Sequence, residues 1–341
     1  MNYTINFSNI LVIVFMIFMF FNKTQAQNLD KLHSSVEELK DSLRIPGLSY
    51  AVVQDEETIV MNSLGYADID NNIQETKQTE HFIASTTKTI TGIGLMKLVE
   101  TEKIKLDDPI SLYLDDVHAS WKKVTIRQAV SHTSGLPNIL NENGDPIGGG
   151  TIEQSWDIVK QKPLVREPGK KWEYNQAGLE VLQRIYKNLS NQSWESHINE
   201  TVFESADMSN TTWLWDQPQK SPNLSVVYEL TKESKIEEYG IVDNFDYYLP
   251  AGTGIFTSIK DMTSFAKALQ AEKLLSKDLL TEMWTSSDFE NSDYQWLKAY
   301  GIGWIIDEYA HQKRVWHSGG GKACFMHYPD ENLSIIVLSN L

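Results

Sequence analysis

The chain has 341 residues, 41% of them hydrophobic and 22% charged, the proportions of a folded globular protein. Its 30 basic against 46 acidic residues leave a formal charge of −16, which argues against the basic footprint that nucleic-acid binding needs. The one cysteine, Cys324, excludes an intrachain disulfide framework, a cysteine-based zinc site and an iron–sulfur cluster.

Along the chain, the first feature is an unbroken apolar run, Ile10 to Phe21. A bilayer-spanning helix needs roughly 20 such residues, so the run fits the core of a secretory signal peptide better than an anchor. Thr24-Gln25-Ala26 offers a small-residue cleavage site. The expected division is a signal peptide at 1–26 and one domain at 27–341, exported to the periplasm or the medium. No Lys or Arg precedes Ile10, and a buried N-terminal helix is the competing reading. Residues 1–26 carry Lys23 as their one charged side chain, so 27–341 keeps a net charge of −17.

Leu29 to Arg44 places Leu29, Leu32, Val36, Leu39 and Leu43 at helical spacing, and Pro46-Gly47 ends that helix. Leu48–Gln54 and Thr58–Leu64 read as a hairpin turning at Asp55-Glu56-Glu57. Thr86 to Glu100 is helical and apolar on most sides, so it is expected to be buried. Residues 101–285 mix short helices, such as Gly178–Leu189, with long polar loops. Three strands close the chain at Arg314–His317, Ala323–Tyr328 and Leu333–Ser339, separated by Gly319-Gly320-Gly321 and by Pro329 to Asn332. Strands at both ends with helices between them predict one sheet built from both termini, antiparallel because its connections are short.

Several chemistries find no support. There is no G-x-S-x-G elbow, no Walker A loop, no Rossmann glycine fingerprint and no H-E-x-x-H. Asp68-x-Asp70-x-Asn72 opens like a calcium loop but has Ile73 and Thr79 where Gly and Glu belong. No cofactor or metal is expected, and the expected partner is a small-molecule or peptide substrate. Neither nucleic acid nor a stable membrane anchor after leader removal is expected.

One constellation does carry chemistry. Ser85 opens the buried helix, where free N–H groups and the positive dipole end lie. Lys88 is one turn further along the same face. Desolvation in an apolar helix lowers a lysine's pKa and lets it accept the serine proton, giving an activated nucleophile. Tyr174 precedes the helix at 178–189 and is placed to shuttle a proton, with its pKa lowered if cations flank it. Trp316-His317-Ser318-Gly319-Gly320 ends a strand, and a strand-edge N–H there together with that of Ser85 makes an oxyanion hole.

Ser85-x-x-Lys88, a tyrosine triplet and His317-Ser318-Gly319, in that order, resemble the serine β-lactamase and penicillin-binding protein superfamily. The nearest branch is its class C-like group, which includes esterases and D-amino-acid peptidases. Pro46 to Val53, Lys105 to Pro109, His132 to Pro137, Ala251 to Gly254 and Tyr300 to Trp304 extend the resemblance in family order from about Asn28 to Leu341. It implies an α/β (α+β) sandwich, an antiparallel sheet flanked by helices, with an inserted all-helical part and the cleft between them. It implies an acyl-enzyme on Ser85, proton transfer by Lys88 and Tyr174, and an oxyanion held by the N–H groups of Ser85 and Gly320. Gln176, His317, Ser318 and Gly319 would contact substrate.

The chain departs from the family's pattern in three places. The triplet reads Tyr174-Asn175-Gln176, where many members end in Asn. His317 stands where β-lactamases carry Lys, and a mostly neutral histidine attracts a substrate carboxylate weakly. Members usually continue into a C-terminal helix over the sheet; none follows Leu341 here, so more chain or another cover is expected. The functional expectation is a serine hydrolase acting on an ester or D-amino-acid amide ahead of a β-lactam, with a D-alanyl-D-alanine carboxypeptidase close behind. A non-catalytic sensor on the same fold is a third reading. A carbohydrate-binding protein, resting on Trp213, Trp215, Trp284 and Trp296, is a fourth. Substrate choice is expected from loops 138–151 and 216–248.

Overall fold

The computed structural model describes residues 12–14, 25–142, 144–214, 221–239 and 249–341. Most of the expected leader, Trp215 and much of loop 216–248 fall outside them.

The N-terminal helix α1 (Gln25–Ser42) leads into a hairpin, β1 (Gly47–Gln54) and β2 (Glu57–Asp68), with β3 (Ile73–Gln74) beyond it. The hairpin turns on Asp55 and Glu56, at φ 49° and 65°, a two-residue turn whose twist suits the strands. Next come β4 (Glu80–Phe82), α2 (Thr87–Glu100), α3 (Ile126–Val130), α4 (Ile152–Val159), β5 (Lys171–Trp172), α5 (Ala177–Ser190) and α6 (Trp194–Ile198). They are followed by β6 (Thr211–Trp213), β7 (Tyr228–Leu230), β8 (Ile236–Glu238), α7 (Pro250–Thr253), β9 (Ile255–Ser258), α8 (Ile259–Gln270) and α9 (Lys277–Met283). The last part holds β10 (Asn291–Ser292), β11 (Ala299–Tyr300), β12 (Ile305–Tyr309), β13 (Gln312–Gly319), β14 (Ala323–Tyr328) and β15 (Leu333–Ser339).

Among the described residues the main sheet has eight strands in the order β11-β12-β13-β14-β15-β1-β2-β3. Both ends of the chain meet at its centre, where β1 pairs antiparallel with β15, Leu48 opposite Ser339 and Gln54 opposite Leu333. The central strands are buried on both faces, and side chains alternate between two cores. Leu48, Tyr50, Val52, Ile335 and Val337 join one core with Leu32 and Val36 of α1; Ile13 and Val14 of the apolar run are buried in it as well. Ala51, Val53, Ile336 and Leu338 join the larger core on the opposite face, with Ile90 and Ile93 of α2 and Phe265 of α8. The α/β sandwich with an antiparallel sheet from both ends is therefore present as expected. The inserted region is helical in its core but also holds a three-stranded sheet, β4-β9-β6, and short pairs β5-β10 and β7-β8. Strands of two to four residues are too short to show a period of two.

Gln270 ties α8 to the sheet. A bulge at Val52/Val53 breaks the β1–β2 register, and the Val53 carbonyl accepts from Gln270 Nε2 at 3.1 Å. The same nitrogen donates to Ser334 Oγ at 3.0 Å, while Oε1 accepts from the Glu56 N–H at 2.8 Å. Gln270→Met keeps the volume and strands these buried groups. It should lower unfolding free energy by about 1–3 kcal/mol in urea titrations; an unchanged midpoint would show that the bulge needs no tie.

Candidate active site

Ser85 lies in a single 3₁₀ turn, Ala84–Thr86, that feeds into α2. Ala84 holds φ +43°, a left-handed conformation that disfavours a non-glycine residue by roughly 1–2 kcal/mol. Two backbone bonds hold the turn, Ile83 N–H to Ile255 O at 3.1 Å and Thr86 N–H to Ile83 O at 3.0 Å. A strained nucleophile turn is thus present without G-x-S-x-G.

The end of β13 lies against this turn. A Cβ on Gly319 would fall 1.8 Å from Ile83 O and 3.0 Å from Ser85 N, so only glycine lets the two backbones meet. Gly320 follows at φ +56°. The N–H groups of Ser85 and Gly320 therefore border one cleft, which both residues line. Ser318 lines it too, and its buried Oγ has no partner among the described residues, leaving a donor for a ligand.

Lys88 is 1% exposed and sends its Nζ to Ser85 Oγ at 3.3 Å and to Gly252 O at 2.8 Å. Among the described residues no carboxylate is paired with it, and burial lowers its pKa from 10.5 to about 7. Tyr174 donates its hydroxyl to Ser85 Oγ at 2.9 Å, and Lys88 Nζ sits 5.0 Å from its ring centre. The expectation of a lowered tyrosine pKa is corrected here. Burial raises it, outweighing the opposing hydrogen bonds with Ser85 and Gln176, so the phenol stays protonated and Lys88 is the group that can be free base near neutral pH.

His317 is buried, with Nδ1 2.7 Å from Ser318 O and Nε2 3.2 Å from Tyr300 Oη. Burial, aided by the nearby Lys88, pushes its pKa down to about 3. It is neutral at any ordinary pH, as its place in the motif led one to expect. Gln176 caps α5 and takes its backbone N–H to Asn138 Oδ1 at 3.1 Å; its own Oε1 is buried without a partner among the described residues. Asn175 turns inward, donating to Leu136 O at 2.6 Å and accepting from the Ala177 N–H at 2.7 Å.

Sequence reasoning left out the layer behind Tyr174. His132, at φ 65°, has its ring centre 4.5 Å from that of Tyr174 and 5.0 Å from that of Tyr300. Its Nδ1 lies 3.0 Å from Asn175 O, and burial holds the ring neutral. Trp172, Tyr294, Trp296 and Tyr300 line the cleft, which encloses about 500 Å³ open to solvent. Loop 138–151 reaches the site through Asn138, but the aromatic walls come from residues 172 and 294–300. Of the four tryptophans once considered for sugar binding, Trp213 and Trp284 are buried and Trp296 is a cleft wall. Among the described residues no cluster of His, Cys, Asp and Glu is placed to hold a metal, and no helix is long and apolar enough to cross a membrane.

A serine on a strained turn, a buried amine and a phenol hydroxyl on its Oγ, and a glycine strand end beside it form an arrangement that can carry out acyl transfer. The beta-lactamase family model matches residues 32–341, and the chain belongs to that family of hydrolases. A similar sequence is "Protein flp" of Staphylococcus aureus (strain N315), 24% identical over 326 residues. The match covers 92% of this chain and 63% of that protein, so the chain spans less than two thirds of that relative. Among solved structures, the octameric penicillin-binding protein homologue from Pyrococcus abyssi superposes with a TM-score of 0.79 at 25% identity, covering 92% of this chain and 73% of that one. EstCE1, described as a hydrolase with promiscuous acyltransferase activity, gives 0.74 at 18% identity over 99% and 95%, a likeness of fold.

Lys88 makes stability depend on pH in a defined direction. Unfolded, it keeps its proton to about pH 10.5; folded, to about pH 7. Between these values the unfolded chain binds the extra proton, so raising the pH favours the folded state. Wild type should gain on Lys88→Met by up to about 1.4 kcal/mol per pH unit from pH 7 to 10 in urea titrations. A constant difference would mean that the amine is charged in the fold.

Proposed function

We propose that the protein is an exported serine hydrolase that works through an acyl-enzyme on Ser85. The observation that carries this reading is the short chain from Lys88 Nζ to Ser85 Oγ to Tyr174 Oη, at 3.3 and 2.9 Å, with an amine that titrates near neutrality. Lys88 takes the hydroxyl proton while Oγ attacks the substrate carbonyl carbon. The N–H groups of Ser85 and Gly320 hold the oxyanion. The bond to the alcohol or amine breaks as Tyr174 passes a proton to the leaving atom and is reprotonated from Lys88. Water then attacks the carbonyl carbon of the ester on Ser85 as Lys88 takes a proton from it; Lys88 returns that proton to Ser85 Oγ as the bond from carbon to Oγ breaks, and the acid leaves.

The preferred substrates are esters or D-amino-acid amides, ahead of β-lactams. His317 is neutral, and no cation lines the cleft among the described residues, so a carboxylate such as β-lactams carry has no counter-charge. A D-alanyl-D-alanine carboxypeptidase draws support from the likeness to penicillin-binding protein homologues. The same missing cation counts against it, because that peptide ends in a carboxylate. An intact set of Ser85, Lys88 and Tyr174 weighs against a sensor without turnover.

Wild type should hydrolyse a nitrophenyl acetate with kcat/KM rising through about pH 7, and turn over a chromogenic cephalosporin far more slowly. Ser85→Ala should lose at least about a thousandfold on the ester. Equal rates for the two proteins would remove Ser85 as nucleophile, and efficient cephalosporin turnover would remove the argument from His317. Export rests on the length of the Ile10–Phe21 run and the small residues after it. The N-terminus of protein produced in a Gram-negative or Gram-positive host should read from Gln27; an intact Met1 would favour the buried helix, with Ile13 and Val14 in the core.

A further inference from the structure

The cleft beside Ser85 ends in a recess whose walls are aromatic, and two of those walls are poorly used by the fold. Trp172 and Tyr300 are buried core residues in their own right. Tyr294 and Trp296 are 40% and 43% exposed, large rings kept at the mouth without being covered. Their segment is nonetheless pinned. β10 pairs with β5, Ser292 opposite Trp172, and Lys171 holds Asp293 at 2.5 Å. The Tyr294 N–H donates to Ser292 Oγ at 3.1 Å, and the Leu297 N–H to Tyr294 O at 3.0 Å. The rings interlock edge to face: Tyr294 lies 5.7 Å from Trp172 at 82°, and 5.7 Å from Trp296 at 61°. Fixed, exposed and mutually packed rings form a stacking surface before a ligand arrives.

The recess offers no counter-ion to either sign of charge among its described lining residues. Among the described residues lining it, none is ionised near neutral pH; His317 is neutral and both its nitrogens have neighbours. Its position relative to the reacting atoms follows from Tyr174, which forms the wall between Ser85 and Trp172. A hydroxyl that passes a proton to the leaving atom must face that atom, so the departing group lies on the Tyr174 side.

We infer that this recess binds the leaving half of the substrate, and that this half is uncharged and carries an aryl or similarly bulky apolar group. The inference rests on the acyl-enzyme reading above and narrows it to neutral esters or amides of such alcohols or amines.

The test holds the acyl group constant. Ethyl acetate, benzyl acetate, O-acetyl-lactate and acetylcholine offer a small, an aryl, an anionic and a cationic leaving half. Stacking of one phenyl group should give benzyl over ethyl acetate a kcat/KM advantage of about tenfold or more. The double variant Tyr294→Ala/Trp296→Ala should bring that ratio close to one, and a ratio taken within one protein is unaffected by its folded fraction. A ratio near one in wild type, or a faster anionic or cationic ester, overturns the inference. Ethyl phenylacetate, with the ring on the acyl side, should show no such gain; if it matches benzyl acetate, the assignment to the leaving half falls. Binding is read separately on Ser85→Ala by tryptophan fluorescence. Preferential binding of benzyl over ethyl acetate, with no wild-type hydrolysis of either, sinks the hydrolase reading and keeps the recess. Hydrolysis of both without preferential binding sinks the recess alone.

Discussion

A lysine buried against a hydroxyl, without a counter-ion among the described residues, is the constraint around which the rest of the site is arranged. An exposed ammonium would hold its proton far above neutral pH and do nothing to Ser85. Burial in α2, with hydrogen bonds to the Gly252 carbonyl and Ser85 Oγ, leaves the amine poised between two protonation states. The same centre acts on its neighbours: Lys88 adds to the burial that keeps His132 and His317 uncharged. Any solvent path to Nζ would relax all three groups together. Lys88 is 1% exposed while Ser85, beside it, lines the open cleft.

The site also depends on distant parts of the chain meeting at backbone level. Ser85 sits on the 3₁₀ turn before α2, Lys88 on the first turn of α2, Tyr174 on a loop before α5, and His317 to Gly319 at the end of β13 with Gly320 just beyond. What joins them is close contact that side chains would obstruct, as the 1.8 Å approach of a Gly319 Cβ position to Ile83 O makes plain. The main sheet is the frame for that contact.

Legibility in the sequence followed the same division. Ser85 and Lys88 were readable because three residues make a helical turn, and the sheet was readable because turn signals separate its strand-like runs at both ends of the chain. Gly319 and Gly320 were readable as glycines placed where a strand must stop. Tyr294 was not, and His132 and Trp296 were noticed without a place at this site, since all three come from irregular segments that carry no period and reach the cleft only through tertiary contact. The direction of the Tyr174 shift was misjudged for a related reason. Residue order showed a cation nearby but could not show how deeply the phenol is buried, and burial is the larger effect. The short strands β4, β6 and β9 fell below the length at which alternation means anything.

The pairing of β1 with β15 bears on when, during synthesis, the site comes into being. A ribosome delivers α2 and its Ser85–Lys88 pair early, yet the strand that borders Ser85 and the one that joins the hairpin to the rest of the sheet emerge only after residue 312. Until then the nascent chain has the two flanks of the main sheet, β1-β2-β3 and β11-β12, with no strands to join them, and no Gly320 N–H. Contacts between such remote segments also make folding slow relative to a helical bundle. A chain that stops before residue 312 therefore lacks the strand end that borders Ser85 and the strand that closes the sheet.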